Sequence, residues 1–332
     1  MRCRTSSIRI ALAFTLLTLL RIAVPAPSAE AACGAEMCTL DLRGPEASLG
    51  RYSIDFAYQH INQDDVRVGT EPGFVGEIPA HHNEIQTETD GWSVTGRAFV
   101  SPLLSLSATL PYMNRMHRHE HEHAPGVYEE VRWDYSGFGD LMLLSYWSPR
   151  AFVKDPYALA LQAGVKLPTG RKNVPEVDGE QPEPMARPST GSFDVMAGVQ
   201  VRRTFNTRTF SGETVPVPFA IGVTGRLNGH GTQDYQAGHE FLTNLSGGWA
   251  LTPAVTFLGQ VNLRIRGEDD PGTTGDEPGN TGGTAIYGTP GLRVAFGRAA
   301  AYGYYQMRLY EDVNGIQITS PAHLMVGMNY LF

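Results

Sequence analysis

The chain has 332 residues, with 26 Lys and Arg against 34 Asp and Glu, a formal net charge of −8. Residues 1–31 hold four of the Arg and one Glu, so the remainder counts 22 basic against 33 acidic side chains, net −11, which argues against nucleic acid as a partner. Beyond residue 31 no apolar run reaches the roughly 18 residues of a membrane-crossing helix, and 37 Gly and 14 Tyr with few helix-period stretches point to an all-β protein.

The first element is a leader. Arg2, Arg4 and Arg9 precede the apolar run Ile10–Leu20, and Ala29-Glu30-Ala31 forms a small-x-small cleavage site, so residues 1–31 read as a secretory signal peptide. Residues 32–47 then read as an N-terminal periplasmic segment. Its Cys33 and Cys38 suit a small local disulfide; metal or redox chemistry and lipidation of Cys33 are the alternatives.

From residue 48 to 332 the pattern is strands. Twelve stretches alternate apolar and polar side chains: 51–59, 91–100, 104–112, 139–147, 157–167, 192–202, 218–228, 240–251, 255–266, 284–296, 301–310 and 318–332. In 255–266, Val255, Phe257, Val261, Leu263 and Ile265 share one parity, and Gln260, Asn262, Arg264 and Arg266 share the other. Connections after strands 2, 4, 8 and 10 are short, and those after 1, 3, 5 and 9 are long and rich in Gly, Pro and acids. The 203–217 stretch after strand 6 is a longer exception.

An even strand count with short turns at one end and long loops at the other predicts a transmembrane antiparallel up-and-down β-barrel of about 12 strands. In lipid every backbone group must pair, so the C-terminal strand ending in Phe332 has to close onto the first. Its apolar parity (Leu324, Val326, Met328, Tyr330, Phe332) faces hydrocarbon. A terminal Phe also resembles the signal by which the barrel-assembly machinery recognises such chains. The expected location is therefore the outer membrane of a Gram-negative cell envelope, with outer-membrane lipid as the surrounding partner.

The polar parity then lines a lumen. Expected pore-lining residues are Arg51, Asp55, Arg97, Lys166, Arg202, Arg226, Glu240, Arg264, Arg266, Arg293 and Arg308, with Asp194 and Asp140 on the same side. A basic wall inside an acidic protein favours anionic solutes; cross-paired charges that fill the lumen are the competing expectation.

The stretch RMHRHEHEHA sets His117, His119, His121 and His123 at every second position, on one face if the strand continues. Imidazoles at that density bind Zn²⁺, Cu²⁺ or Ni²⁺. Their parity continues from Ser105, Ser107 and Thr109, so an uninterrupted strand 3 aims them over the pore mouth, where His81 and His82 could join them. A solvated His-rich loop is the plainer alternative. Protonation of the run below pH ~6.5 would make the mouth positive. No other cofactor is expected.

Three stretches carry a resemblance: SGFGDLMLLSYW (136–147), AGVKLPTGR (163–171) and GSFDVMAGVQVRR (191–203). They resemble the outer-membrane transporter family named after the meta-pathway of phenol degradation. That family has a GxGD strand start, a strand ending in LPTG and a Gly-Ser/Thr entry into the next. The resemblance covers about residues 90–332 and implies a signal-bearing barrel that moves small, often hydrophobic molecules, with no catalytic residues.

The leading expectation is an outer-membrane channel or transporter for small solutes, anionic or aromatic. The alternatives are a metal-binding barrel for transition-metal uptake or efflux, and an outer-membrane enzyme. The enzyme would need a Ser-His pair on the outer wall, whereas His323 has the inward parity and His230 sits in a loop.

Overall fold

A computed structural model describes residues 51–77, 83–124, 127–149, 153–154, 157–177, 179, 181–274 and 278–332. The leader, the 32–47 segment, Cys33, Cys38, His81 and His82 lie outside the described residues. Among those described there is no α-helix.

Twelve antiparallel strands form the wall: β1 (Tyr52–Gln63), β2 (Asn83–Ser101), β3 (Leu104–Ala124), β4 (Leu141–Trp147), β5 (Tyr157–Leu167), β6 (Asp194–Arg208), β7 (Thr214–Leu227), β8 (Glu240–Ala250), β9 (Val255–Arg266), β10 (Gly283–Phe296), β11 (Ala299–Val313) and β12 (Ala322–Leu331). Each pairs with its sequence neighbours, and β12 pairs with β1 from Ser53↔Leu331 to Ile61↔His323. Phe332 completes the seam: its amide donates to the Tyr52 carbonyl at 2.8 Å, and its own carbonyl accepts from the Arg51 amide at 3.1 Å. A closed sheet leaves no unpaired edge for lipid to desolvate.

The wall is inverted relative to a soluble barrel. Outward side chains are apolar and exposed (Phe56 55%, Trp249 54%, Met328 54%), while Asn262, Gln306 and Thr289, at 1% or less, face inward. The inward amides link across strands: Asn244 Nδ2 donates to Asn262 Oδ1 at 2.7 Å, and Asn262 Nδ2 donates to Thr289 Oγ1 at 3.0 Å. An exposed apolar wall is stable only against hydrocarbon. The chain is an outer-membrane β-barrel.

Aromatic rings mark where hydrocarbon ends. Tyr58, Trp92, Tyr112 and Phe138 occupy one outward row across neighbouring strands, with ring centres 5.6, 6.0 and 5.1 Å apart. Beyond this row the outer wall turns polar, with His60, Asp90, Glu88, Arg118 and Arg132. The row is the belt at the extracellular interface. Toward the other end, Phe205 and Phe219 (6.1 Å) and Tyr330 and Phe332 (5.0 Å) form the periplasmic one.

Two expectations are corrected. The 203–217 stretch is not a long connection, because β6 and β7 pair through Arg208↔Thr214 and leave a tight turn in which Gly212 takes φ 87. The long loop expected after strand 3 is mostly sheet. β3 runs unbroken to Ala124, and a strand at Val127–Phe138 pairs with its upper half. Between Phe138 and β4, Gly139 and Asp140 form a bulge: four residues of β3 (Thr109 to Tyr112) face five of the partner (Met142 to Phe138). The extra residue moves the inward parity from Val131, Trp133 and Tyr135 to Asp140 and Met142.

Candidate functional site

The quoted motifs meet at this bulge and clasp it. Gly170 lies so close that a Cβ there would sit 2.6 Å from the Gly139 carbonyl carbon, so only glycine fits. The Arg171 amide donates to the Phe138 carbonyl at 2.8 Å, and the Leu141 amide donates to Thr169 Oγ1 at 2.9 Å. Asp140 Oδ1 accepts from the Gly170 amide (2.9 Å) and from Ser189 Oγ (2.6 Å), while Oδ2 lies 3.1 Å from Lys166 Nζ. The GxGD and LPTG sequences thus build an anchor, and Ser189 is what it holds.

Ser189 belongs to the extracellular connection between β5 and β6, which folds back into the barrel. Pro184, Ala186, Arg187 and Ser189 are buried. Arg115, inward on β3, donates to the Ala186 carbonyl at 2.6 Å, and Tyr135 donates to the same oxygen at 2.5 Å. Arg187 bonds the Pro182 carbonyl (2.7 Å) and Gln233 Oε1 (3.1 Å), tying this segment to the β7–β8 connection. A second inward bundle forms where Arg266 meets Asp269 at 2.6 Å, with Tyr235 donating to the same carboxylate. Outside these, Ile316–Thr319 pairs with Asp65–Val68.

Beneath the inserted segment a cavity of about 840 Å³ continues down the barrel. Of the eleven expected lining residues, Asp55, Lys166, Arg202, Arg226, Glu240, Arg266 and Arg293 line it. Arg264 sits behind Glu240, donating to it at 2.6 Å. Arg308 pairs with Glu311 (2.9 Å) and Asp65 instead. Arg97 stacks on Tyr146, 5.2 Å from its ring centre, and Arg51 lies exposed at the periplasmic rim. Sequence reasoning missed Arg115 and Arg187: one lies on the unsuspected extension of β3, the other in a connection that parity does not describe.

The upper lumen carries an alternating chain of charges. Asp140 and Asp194 flank Lys166 at 3.1 and 3.0 Å. Asp194 also meets Arg226 at 2.9 Å, and Glu240 joins Arg226 (3.5 Å) to Arg264 (2.6 Å). Lower down, Arg202 and Arg293 each lie three residues inside a periplasmic-belt aromatic, Phe205 and Phe296. On this stretch Asp55 is held by the Tyr302 hydroxyl at 2.8 Å.

The histidine run lies on the extracellular half of β3, and its first members face inward as the parity required. His117 and His119 are buried against Trp133, with ring centres 5.6 and 4.4 Å away, and Thr87 Oγ1 bonds His117 Nδ1 at 2.7 Å. The side chains of His121 and His123 lie outside the described residues. Burial pushes His117, five residues beyond the belt tyrosine Tyr112, down to about 3. It therefore stays neutral where the sequence suggested protonation. With its folded pKa below the unfolded value near 6.5, the unfolded chain binds the extra proton, so stability falls as pH drops from 6.5 toward 3. Urea midpoints at pH 7 and pH 5 should differ by up to about 2 kcal/mol of stability, and His117→Asn, which can still bond Thr87, should flatten that dependence.

No family model matches the chain, and no curated protein sequence does. Solved structures do match. An outer membrane channel from Pseudomonas putida F1 superposes over 89% of this chain and 99% of its own, at 14% identity and a TM-score of 0.59. That likeness shows the fold. The transport unit of the autotransporter AIDA-I from Escherichia coli (12% identity, 89% of this chain and 94% of its own, TM-score 0.48) and the NanC porin (8%, 85% and 100%, 0.45) also match.

Proposed function

We propose that the protein is a passive outer-membrane channel for small anionic solutes, narrowed from the extracellular side by the inserted 183–192 segment. The observation that carries this reading is the charge of the continuous lumen. Seven cations (Arg115, Lys166, Arg187, Arg202, Arg226, Arg266, Arg293) line it against four acids (Asp55, Asp140, Asp194, Glu240), net +3 in a protein whose total is −8. Charge on a low-dielectric wall focuses the field along the pore and concentrates counter-ions. Tyr302 and Tyr304, with ring centres 5.7 Å apart, offer an apolar flank beside the guanidinium groups, which suits carboxylates bearing a hydrocarbon or aromatic body. The described structure of the outer membrane channel from Pseudomonas putida F1 supports a channel by its shared fold.

The test is a planar-bilayer reversal potential in a tenfold KCl gradient. Chloride preference is expected. A cation-selective reversal potential, or no conductance under any voltage, overturns the proposal.

A further inference from the structure

We propose that His60, Glu88 and Asp90 form a binding site for a first-row divalent metal ion on the outer wall of the barrel, in the headgroup layer just above the extracellular aromatic belt. His60 on β1 and Glu88 and Asp90 on β2 share the outward parity, and cross-strand pairing sets His60 opposite Asp90 and Asn62 opposite Glu88. Each of the three offers one donor atom, and these atoms lie within 4.8 Å of one another. Metal–ligand bonds of roughly 2.0–2.2 Å place donors about 3–4 Å apart, so modest rotations of half-exposed side chains complete the shell.

The surroundings favour a bound cation. His60 Nδ1 lies 3.0 Å from Asp90 Oδ1, and the Tyr58 hydroxyl donates to that same oxygen at 2.6 Å, orienting the carboxylate. Glu88 makes no side-chain hydrogen bond or ion pair among the described residues. The nearest guanidinium groups are committed elsewhere: Arg118 forks onto Glu130 at 2.7 and 2.9 Å, and Arg132 onto Asp134 at 2.6 and 2.9 Å. Among the described residues no Lys or Arg side chain bonds Glu88 or Asp90, and Arg132 acts on Glu88 only through space, so two carboxylates stand beside an imidazole. One imidazole nitrogen and two carboxylate oxygens suit Zn²⁺, Co²⁺ or Mn²⁺ and leave coordination positions for water or a phosphate oxygen of a surrounding lipid. The site is separate from the lumen and from the inward-facing His117 and His119.

The probe is Co²⁺ alone, titrated calorimetrically into chelator-stripped protein in detergent, with heat-modifiable gel mobility confirming a folded barrel for every variant. Glu88→Gln with Asp90→Asn should weaken one site at least tenfold, and His60→Asn should do the same. His121→Ala with His123→Ala should leave that site in place. Quenching of Trp92 emission, two residues from Asp90, should track it. The proposal is overturned by a wild type that binds no Co²⁺, by isotherms of the wall variants that superimpose on wild type, or by binding that vanishes with the His121/His123 change alone.

Discussion

Asp140→Ala should raise single-channel conductance severalfold while leaving the barrel folded. Asp140 is the joint between wall and insert: one oxygen holds both the Gly170 amide and Ser189 Oγ, and the other meets Lys166. Removing the carboxylate deletes both hydrogen bonds that it accepts, each worth about 1.5–3 kcal/mol because the acceptor is charged. Lys166 keeps Asp194 at 3.0 Å, so the wall beneath retains a counter-charge. The inserted segment retains Arg115 and Tyr135 at Ala186, the Arg187 contacts, Lys166 at Thr190 and Ser192, and the Thr232 amide at the Thr190 carbonyl, but with its tie at Ser189 gone it should leave the lumen for part of the time. Conductance then rises because the narrowest cross-section widens. Ser189→Ala isolates the anchor from the clasp at Gly170 and should give a smaller increase in the same direction. Bilayer recordings of both variants decide the matter: if both match wild type, the 183–192 segment is not the constriction.

This joint shows what the sequence could and could not convey. The twelve strands and their inward and outward faces follow from period-two alternation, because a wall with lipid on one side and a polar lumen on the other imposes opposite chemistry on successive residues. The closure of β12 onto β1 follows from the same need to pair every backbone group. Asp140 was readable only as an inward residue. That it holds Ser189 depends on a connection of over twenty residues doubling back into the barrel, and no periodicity marks such a fold. The Val127–Phe138 strand was hidden because its outward face, with Glu130, Arg132 and Asp134, meets water and headgroups, so the apolar parity used elsewhere is reversed there. The histidine run illustrates both sides. Parity set His117 and His119 inward, but only Trp133, brought across by the unseen strand, reveals that they pack as a small core. The His60, Glu88 and Asp90 grouping was invisible because it joins two strands whose exact register is a property of the folded sheet.

Reversing the charge of Arg202 and Arg293 together should turn an anion-preferring pore into a cation-preferring one. Both sit in the periplasmic part of the lumen, and both line the cavity without belonging to the alternating chain of Lys166, Asp194, Arg226 and Glu240. That chain is internally compensated, so its field largely cancels at the pore axis. Arg202→Glu with Arg293→Glu changes the lining by −4, from +3 to −1. At an effective dielectric of 20, one unit charge acts on an ion 4 Å away with about 4 kcal/mol, and even a screened fraction of that shifts a permeability ratio tenfold per 1.4 kcal/mol. The reversal potential in a KCl gradient should therefore change sign, most clearly at low ionic strength, where the Debye length exceeds the pore radius. The neutral pair Arg202→Gln with Arg293→Gln should land between the two. A retained chloride preference in the glutamate variant would mean that the compensated upper chain, rather than the periplasmic arginines, sets selectivity.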